Sequence, residues 1–139
     1  MKLITRNTDY AVRALCYIAR QVKGSISAAE MVAQLKIPRP FLRKILQTLS
    51  SEGLLSSQKG QGGGFCLMKH PEDIRLMELI RIFQGGIQLN ECIFKKKVCP
   101  NQRTCPLKAE IDHIEQDAMK RLQKITLALL LKKGRHHDR

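Results

Sequence analysis

The chain has 139 residues, of which 43% are hydrophobic and only 4% aromatic. This length suits one domain with an appended element, and the composition argues against disorder and favours aliphatic helix packing over a β-sandwich. No apolar run approaches the roughly 18 residues of a membrane span, and the first residues lack the apolar core of a signal peptide, so we expect a cytoplasmic protein without a membrane partner.

Positive charge exceeds negative charge, with 25 Lys and Arg against 12 Asp and Glu and a formal net charge of +13. Residues 1–70 hold 11 basic and 3 acidic side chains, net +8, whereas residues 71–139 hold 14 and 9, net +5. Such an excess favours a polyanionic partner, although charge alone does not separate this from a basic surface that only aids solubility. Nucleic acid is expected at the N-terminal half.

Three amphipathic helices are predicted in the first third of the chain. Residues 9–22 have apolar side chains at helical spacing, and the pair Ser27 and Glu30 forms a capping box that starts a short second helix. A third helix has Pro40 in its first turn and is closed by Gly53. Its apolar positions are Phe41, Leu42, Ile45, Leu46 and Leu49.

A short β-hairpin is predicted next, from strands at residues 54–58 and 65–68 around the glycine-rich tip KGQGGG. Two helices joined by a tight turn and followed by a hairpin are typical of a winged helix-turn-helix DNA-binding domain. A fourth helix, IRLMELIRIFQGG, ends at Gly85. The predicted fold is therefore mainly α-helical with a small β-hairpin wing.

The third helix and the wing supply the predicted DNA contacts. Cationic side chains and an amide lie opposite the apolar face of the helix, where Arg and Lys can pair with guanine and Gln with adenine. The alternative for the helix is a solvated charged face, and for the tip a phosphate-binding loop, which is disfavoured because its lysine precedes the glycines. The predicted DNA-contacting residues are Arg39, Arg43, Lys44 and Gln47 on the helix and Lys59 and Gln61 on the wing.

An irregular loop follows the fourth helix and contains Cys92, Cys99 and Cys105, three of the five cysteines. Their spacing is too wide for a zinc knuckle built from C-x2-C pairs, and nearby cations favour thiolates suited to iron. Spacing alone leaves open an iron-sulfur cluster, a thiol redox switch and an incidental trio. Cys16 and Cys66 fall on an apolar helix face and a strand, where each is expected to serve as a small buried hydrophobe.

A long final helix is predicted from residue 107 to near residue 133, with one apolar stripe along it. At about 37 Å it is longer than the domain it leaves, so we expect it to pack on a second copy and form a homodimer. The alternative is a helix folded back on its own domain. The predicted units are a DNA-binding domain at 1–85, a cluster-binding loop at 86–106, and a dimerisation helix with a basic tail at 107–139.

Four motifs span nearly the whole chain, namely TDYAVRAL, LSSEGLLSS, KGQGGGF and the three-cysteine loop. With them the chain resembles the winged-helix iron-sulfur repressors that include the cluster regulator IscR and the nitric-oxide-sensing repressor NsrR. The resemblance implies a dimeric, DNA-binding repressor. We expect no enzyme, because the sequence does not place a nucleophile, a base and an orienting group together. It also implies that Cys92, Cys99 and Cys105 hold a cluster, with [2Fe-2S] favoured over [4Fe-4S], that senses iron, oxygen, nitric oxide or cluster supply.

The chain departs from this family pattern in two places. Lys108 stands where the IscR-like members have a histidine ligand and is expected to be a poor ligand, so the fourth ligand is left open. Arg43 stands where they have an acidic residue, so we expect a different operator preference. In the nitric-oxide-sensing branch an aspartate of the other subunit is a ligand, and Asp9 of the partner subunit matches it. The alternative for Asp9 is an ordinary acid in a first helical turn. The alternative function is a cluster-free winged-helix repressor controlled by thiol oxidation, a partner protein or a metabolite.

Overall fold

The computed structural model of the chain describes residues 3–22, 24–87 and 103–134. In these ranges the chain forms helices and one antiparallel hairpin, so the predicted mainly helical fold with a hairpin wing is confirmed. The elements in chain order are α1 (Arg6–Arg20), α2 (Ala28–Leu35), α3 (Arg39–Ser51), β1 (Leu55–Gln58), β2 (Gly64–Leu67), a 3₁₀ turn (Pro71–Asp73), α4 (Leu76–Gln84), α5 (Pro106–Gln123) and α6 (Leu127–Gly134).

Side-chain caps set the beginnings of α1 and α2. Thr5 Oγ1 accepts a hydrogen bond from the Thr8 N–H at 3.4 Å, so α1 begins at residue 6, three residues before the predicted start. Ser27 Oγ accepts the Glu30 N–H at 3.1 Å, as the capping box predicted. The Glu30 carboxylate accepts a hydrogen bond from the Tyr17 hydroxyl at 3.0 Å, which ties α2 to α1.

The core-facing side of α3 is narrower than the sequence predicted. The four buried residues of this helix are Leu42, Ile45, Leu46 and Leu49. Phe41, which was predicted to face the core, is 47% exposed, so this part of the prediction is wrong. Successive residues of a helix lie about 100° apart, and Phe41 falls outside the arc that the buried side chains span.

The wing is anchored to the segment between α1 and α2. Ile26 and Phe65 exchange two backbone hydrogen bonds, of 2.8 and 2.9 Å. A side chain at Gly64 would collide with the Ile26 carbonyl, so only glycine permits this close approach. Ser25 Oγ donates a hydrogen bond of 2.7 Å to the Gly62 carbonyl, which holds the tip as well as the strands.

One main core lies between α1, α2, α3, α4 and α6, and a smaller cluster joins α4 to α5. The main core is aliphatic, as the scarcity of aromatic residues indicated. Its fully buried large side chains are Leu15, Ile26, Met31, Ile37, Leu42, Leu46, Leu49, Leu54, Ile74, Leu79 and Leu127. The smaller cluster contains Met77, Ile80, Ile87 and Leu122.

The C-terminal helix is interrupted. It was predicted to continue to near residue 133, but α5 ends at Gln123 and α6 begins at Leu127. Thr126 Oγ1 accepts the Leu129 N–H at 3.2 Å and thereby caps the first turn of α6. A threonine inside an apolar stripe is compatible with a helix, so the stripe alone did not predict the break.

Hydrogen bonds to the segment before α4 hold the interruption in place. The Leu76 N–H donates to the Ile125 carbonyl at 3.0 Å, and the Leu127 N–H donates to the Ile74 carbonyl at 2.8 Å. Arg75 Nη1 donates to the Gln123 carbonyl at 3.3 Å. The C-terminal end of α5 is therefore fixed to the winged domain.

The apolar stripe of α5 is covered at one end and uncovered at the other. Leu122 is buried in the smaller cluster, whereas Leu107 and Ile114 are 67% and 55% exposed. Exposed leucine and isoleucine on one side of a helix are unfavourable in water unless another surface covers them. This part of α5 is the surface on which a second copy was predicted to pack.

Candidate nucleic-acid interface and metal site

The charged side chains of α3 are all cationic. The four residues predicted to contact DNA from this helix, Arg39, Arg43, Lys44 and Gln47, are all exposed. No acidic residue occurs between Arg39 and Ser51, so the positive charge is not neutralised within the helix. Such a surface attracts phosphates and offers donors to the acceptor atoms of guanine.

The turn that leads into α3 leaves its first backbone donors uncapped. Lys36 adopts a left-handed conformation with φ of 55°, and the buried Ile37 anchors the turn in the core. Pro38 occupies the N-cap position and makes no side-chain cap hydrogen bond. The uncapped N–H groups of the first turn can therefore donate to a phosphate.

The two predicted wing contacts lie at the tip of the hairpin. Lys59 and Gln61 are exposed in the turn between β1 and β2. Because the tip is bonded to Ser25 and the strands to Ile26, the wing is held on the same core as α3. A rigid wing and a rigid helix can present their cations to one duplex in a fixed relation.

Cys105 is the one member of the cysteine trio within the described residues, because Cys92 and Cys99 lie outside them. It is a free, partly exposed cysteine at the N-cap position of α5, and its side chain makes no cap hydrogen bond. A sulfur at the positive end of a helix suits an anionic ligand to iron. In the described ranges no three His, Cys, Asp or Glu side chains lie close enough to hold a metal, so a metal site needs ligands from elsewhere.

Asp9 lies in the first turn of α1, with an ion pair in its own chain. Asp9 Oδ2 is 3.1 Å from Arg13 Nε, one helical turn further along, and both side chains are about half exposed. One carboxylate oxygen is thus engaged. A ligand role for Asp9 uses the other oxygen or displaces Arg13.

Lys108, which was expected to stand where IscR-like members have a histidine ligand, contacts an acidic residue of its own helix. Its Nζ is 2.5 Å from Asp112 Oδ2 across one turn of α5. An ammonium group that donates to a carboxylate has no lone pair for a metal. This geometry agrees with the prediction that Lys108 is a poor ligand.

The other two cysteines lie within the winged domain. Cys16 packs against the main core, where burial raises the pKa of its thiol and the charge of Arg20 opposes that effect. Cys66 lies on β2, and its Sγ is 2.8 Å from Ser56 Oγ across the hairpin. Cys16 matches the expected small hydrophobe, whereas Cys66 is in addition hydrogen bonded to a serine.

Gln84, the last residue of α4, makes side-chain hydrogen bonds that the sequence did not predict. Its Oε1 accepts from the Thr5 N–H at 3.1 Å and from Thr8 Oγ1 at 2.8 Å. Its Nε2 donates to the carbonyls of Leu3 and Gly86 at 3.0 and 3.2 Å. This amide ties the start of α1 to the start of the predicted cysteine loop. A single glutamine before two glycines gives no sequence signal for such a role.

Comparisons with known proteins agree with this architecture. The profile of the Rrf2 family, described as iron-dependent transcriptional regulators, matches residues 4–133. The HTH-type transcriptional regulator NsrR of Shouchella clausii is 34% identical over 107 residues, which cover 76% of this chain and 72% of that protein. NsrR of Bacillus subtilis is 31% identical over 134 residues, which cover 95% and 91%.

A solved structure has the same fold. CymR, the global cysteine regulator of Bacillus subtilis, superimposes with a TM-score of 0.79 at 22% identity and covers 96% of this chain and 98% of its own. Both of the relatives above are named as transcriptional regulators, and the structural neighbour is named as a regulator. Among the helices of the described ranges, none combines the length and the hydropathy needed to cross a bilayer.

Proposed function

The chain belongs to the Rrf2 family of transcriptional regulators. From that premise we propose that it is a homodimeric transcriptional repressor whose affinity for DNA depends on a bound iron-sulfur cluster. In this proposal residues 1–85 bind the operator, residues 86–106 hold the cluster, and residues 107–139 form the dimer. The observation that carries the DNA-binding part is the exposed, acid-free cationic face of α3. The protein would act on DNA in the cytoplasm.

DNA binding is assigned to α3 and the wing. Arg43 and Lys44 project from the first two turns of α3, the part of a recognition helix that meets base edges in the major groove. Arg39 and the uncapped first turn suit phosphates. Lys59 and Gln61 on the wing suit the adjacent minor groove or backbone. Lysine and arginine contacts of this kind make the affinity fall steeply with salt.

Dimer formation is assigned to the uncovered half of α5. Leu107 and Ile114 are exposed there, while the other end of the helix is bonded to the segment Ile74 to Leu76. A two-fold contact through α5 would therefore set the distance between the two copies of α3. Such a fixed distance is what a palindromic operator requires.

The cluster ligands are assigned to Cys92, Cys99 and Cys105, and the fourth ligand to Asp9 of the partner subunit. The free side chain of Cys105 at the helix N-terminus fits a cysteine-ligated iron-sulfur group. Such a group would react with oxygen and nitric oxide, and its assembly would require iron. A [2Fe-2S] cluster is favoured over [4Fe-4S].

The chain offers a stiff path from Cys105 to the DNA-binding domain. Cys105 occupies the N-cap position of α5, which has 18 residues and is about 27 Å long. Its other end is held by the backbone bonds of Ile125 and Leu127 to the segment before α4. A shift of Cys105 would turn α5 as a unit, change the dimer contact and move the two copies of α3 apart or together.

Anaerobic purification with iron and sulfide assays, followed by selection from a random-sequence duplex pool with the iron-loaded and the metal-free protein, tests this proposal. We expect a coloured protein and a palindromic selected site that one of the two forms binds more tightly. A colourless protein that cannot be reconstituted, yet still selects a site, would support the cluster-free alternative. A protein that selects no site in either form would contradict the DNA-binding assignment.

A further inference from the structure

Phe41 is a large apolar side chain on α3 that lies outside both hydrophobic clusters. It is 47% exposed and is not one of the partly buried side chains packed against the main core. A single exposed hydrophobic residue is common on protein surfaces and carries no argument by its exposure alone. What distinguishes it is its position beside Lys44 on the helix to which DNA binding is assigned.

One exposed cationic residue lies beside Phe41 on α3, and two more lie across the helix. Lys44 is three residues after Phe41, whereas Arg39 and Arg43 are each two residues away and lie on the other side of the helix. On a helix surface, side chains three apart are neighbours, so Phe41 and Lys44 share one side of α3. Thr48 continues that side, and its hydroxyl donates to the Lys44 carbonyl at 2.9 Å.

The charge of α3 indicates the class of partner. A cationic surface without acidic residues complements the DNA backbone, and the apolar group that the major groove exposes is the 5-methyl of thymine. Phenylalanine is among the residues that suit this methyl group. On the premise of the proposed DNA binding, we infer that Phe41 is a specificity-determining residue that packs against the 5-methyl of a thymine in each operator half-site.

This assignment fixes where the thymine lies. The Cβ atoms of neighbouring helix residues are about 5 to 6 Å apart, and base steps along one strand are about 3.4 Å apart. The thymine that Phe41 contacts should therefore lie within about two base steps of the base that Lys44 contacts. Lys44 and Thr48 lie on the same side of the helix as Phe41. We therefore expect the thymine methyl group and the hydrogen-bond acceptors of a nearby base to be adjacent in the half-site.

Replacement of thymine by uracil tests the inference, because it removes the methyl group and leaves every hydrogen-bonding atom in place. A site is first selected from a random-sequence duplex pool with the wild-type protein, in whichever form binds. Each thymine of that site is then replaced in turn by deoxyuridine, at symmetry-related positions of both half-sites. Affinities are measured by fluorescence anisotropy for the wild type, Phe41→Ala and Phe41→Leu.

The expected result is one thymine per half-site whose replacement weakens wild-type binding about fourfold for each methyl group, as loss of one buried methyl group predicts. Phe41→Ala should bind the thymine duplex more weakly and should no longer distinguish it from the uracil duplex. Phe41→Leu should keep part of the preference. Because Phe41 is outside the core, all three proteins should have the same circular-dichroism spectrum.

Two results would overturn the inference and leave the proposed DNA binding intact. The wild type could select a site and show no uracil effect, or Phe41→Ala could keep the same uracil effect as the wild type. The second result would be expected if Phe41 instead inserted between two base pairs as a wedge. Phe41→Ala would then lose the same affinity for the thymine duplex and for the uracil duplex. Failure of the wild type to select any site would instead contradict the proposed function itself.

Discussion

Gln84 Oε1 accepts a hydrogen bond of 2.8 Å from Thr8 Oγ1 and so joins the last turn of α4 to the first turn of α1. Thr8 is the one polar residue in the buried class within the described ranges, with 0% of its surface exposed. Because the same glutamine amide also bonds to Leu3 and Gly86, one side chain holds both the N-terminal segment and the residues before the predicted cysteine loop.

Loss of this amide should destabilise the fold. Gln84→Ala leaves the Thr5 N–H without its partner and removes one partner of the buried Thr8 hydroxyl, which costs about 2 kcal/mol of the free energy of unfolding. Urea denaturation followed by circular dichroism measures it. The matched control is Gln34→Ala on the exposed side of α2, expected to change stability by less than about 0.5 kcal/mol. Equal effects of the two substitutions would contradict the role of Gln84.

The uncovered half of α5 predicts how the dimer can be dissociated. Leu107→Glu and Ile114→Glu place a charge where the proposed contact buries an apolar side chain, so each should shift the protein from dimer to monomer. Size-exclusion chromatography with light scattering gives the mass. Gln116→Glu, an exposed position on the same helix, adds the same charge off the stripe and should leave the dimer intact. Monomeric wild-type protein, or dimeric Glu variants, would rule out this interface.

The cations of α3 and the wing should differ in what they contribute to DNA binding. Arg43→Ala should relax the preference at one base position, at a cost of about 1–3 kcal/mol. Lys59→Ala should weaken binding to all sequences and lower the slope of log affinity against log salt by about 1. Titrations over a range of salt concentrations measure both. Lys120→Ala in the last turn of α5 is the control, and a slope change there as large as that of Lys59→Ala would contradict the assignment.

The Thr126 cap at the start of α6 should stabilise the segment that anchors the end of α5. Thr126→Val keeps the size of the side chain but removes the hydroxyl that accepts the Leu129 N–H, so it should cost about 1 kcal/mol of stability. Thr104→Val in the exposed turn before α5 should cost less. Chemical denaturation of the two variants side by side provides the comparison, and an identical loss would show that the cap is unimportant.

Much of the winged domain could be predicted from sequence because its signals are local. The Ser27 box, the first-turn Pro40 and the glycine at residue 53 lie beside the backbone groups that they control. The exposure of Phe41 and the end of α5 could not be predicted in this way. They depend on how far the core extends around α3 and on hydrogen bonds to a segment about 50 residues earlier in the chain.

The candidate site was predictable to different degrees in its two parts. The exposed polar residues of α3 followed from helical periodicity, because the side opposite a buried stripe faces outward. The metal ligands came from a family resemblance, and of the three cysteines the structure describes only Cys105. The amide of Gln84 gave no signal, because its partners are 76 or more residues away in three of its four hydrogen bonds.

The measurement that tests the account most directly is the operator affinity of iron-loaded and metal-free protein, compared between Cys105→Ala and Cys66→Ala. Wild type and Cys66→Ala should take up iron and sulfide, absorb visible light, and differ about tenfold or more in affinity between the two forms. Cys105→Ala should stay colourless and bind the operator with one affinity under both conditions. A Cys105→Ala protein that takes up the cluster and keeps the full difference in affinity would contradict the central claim.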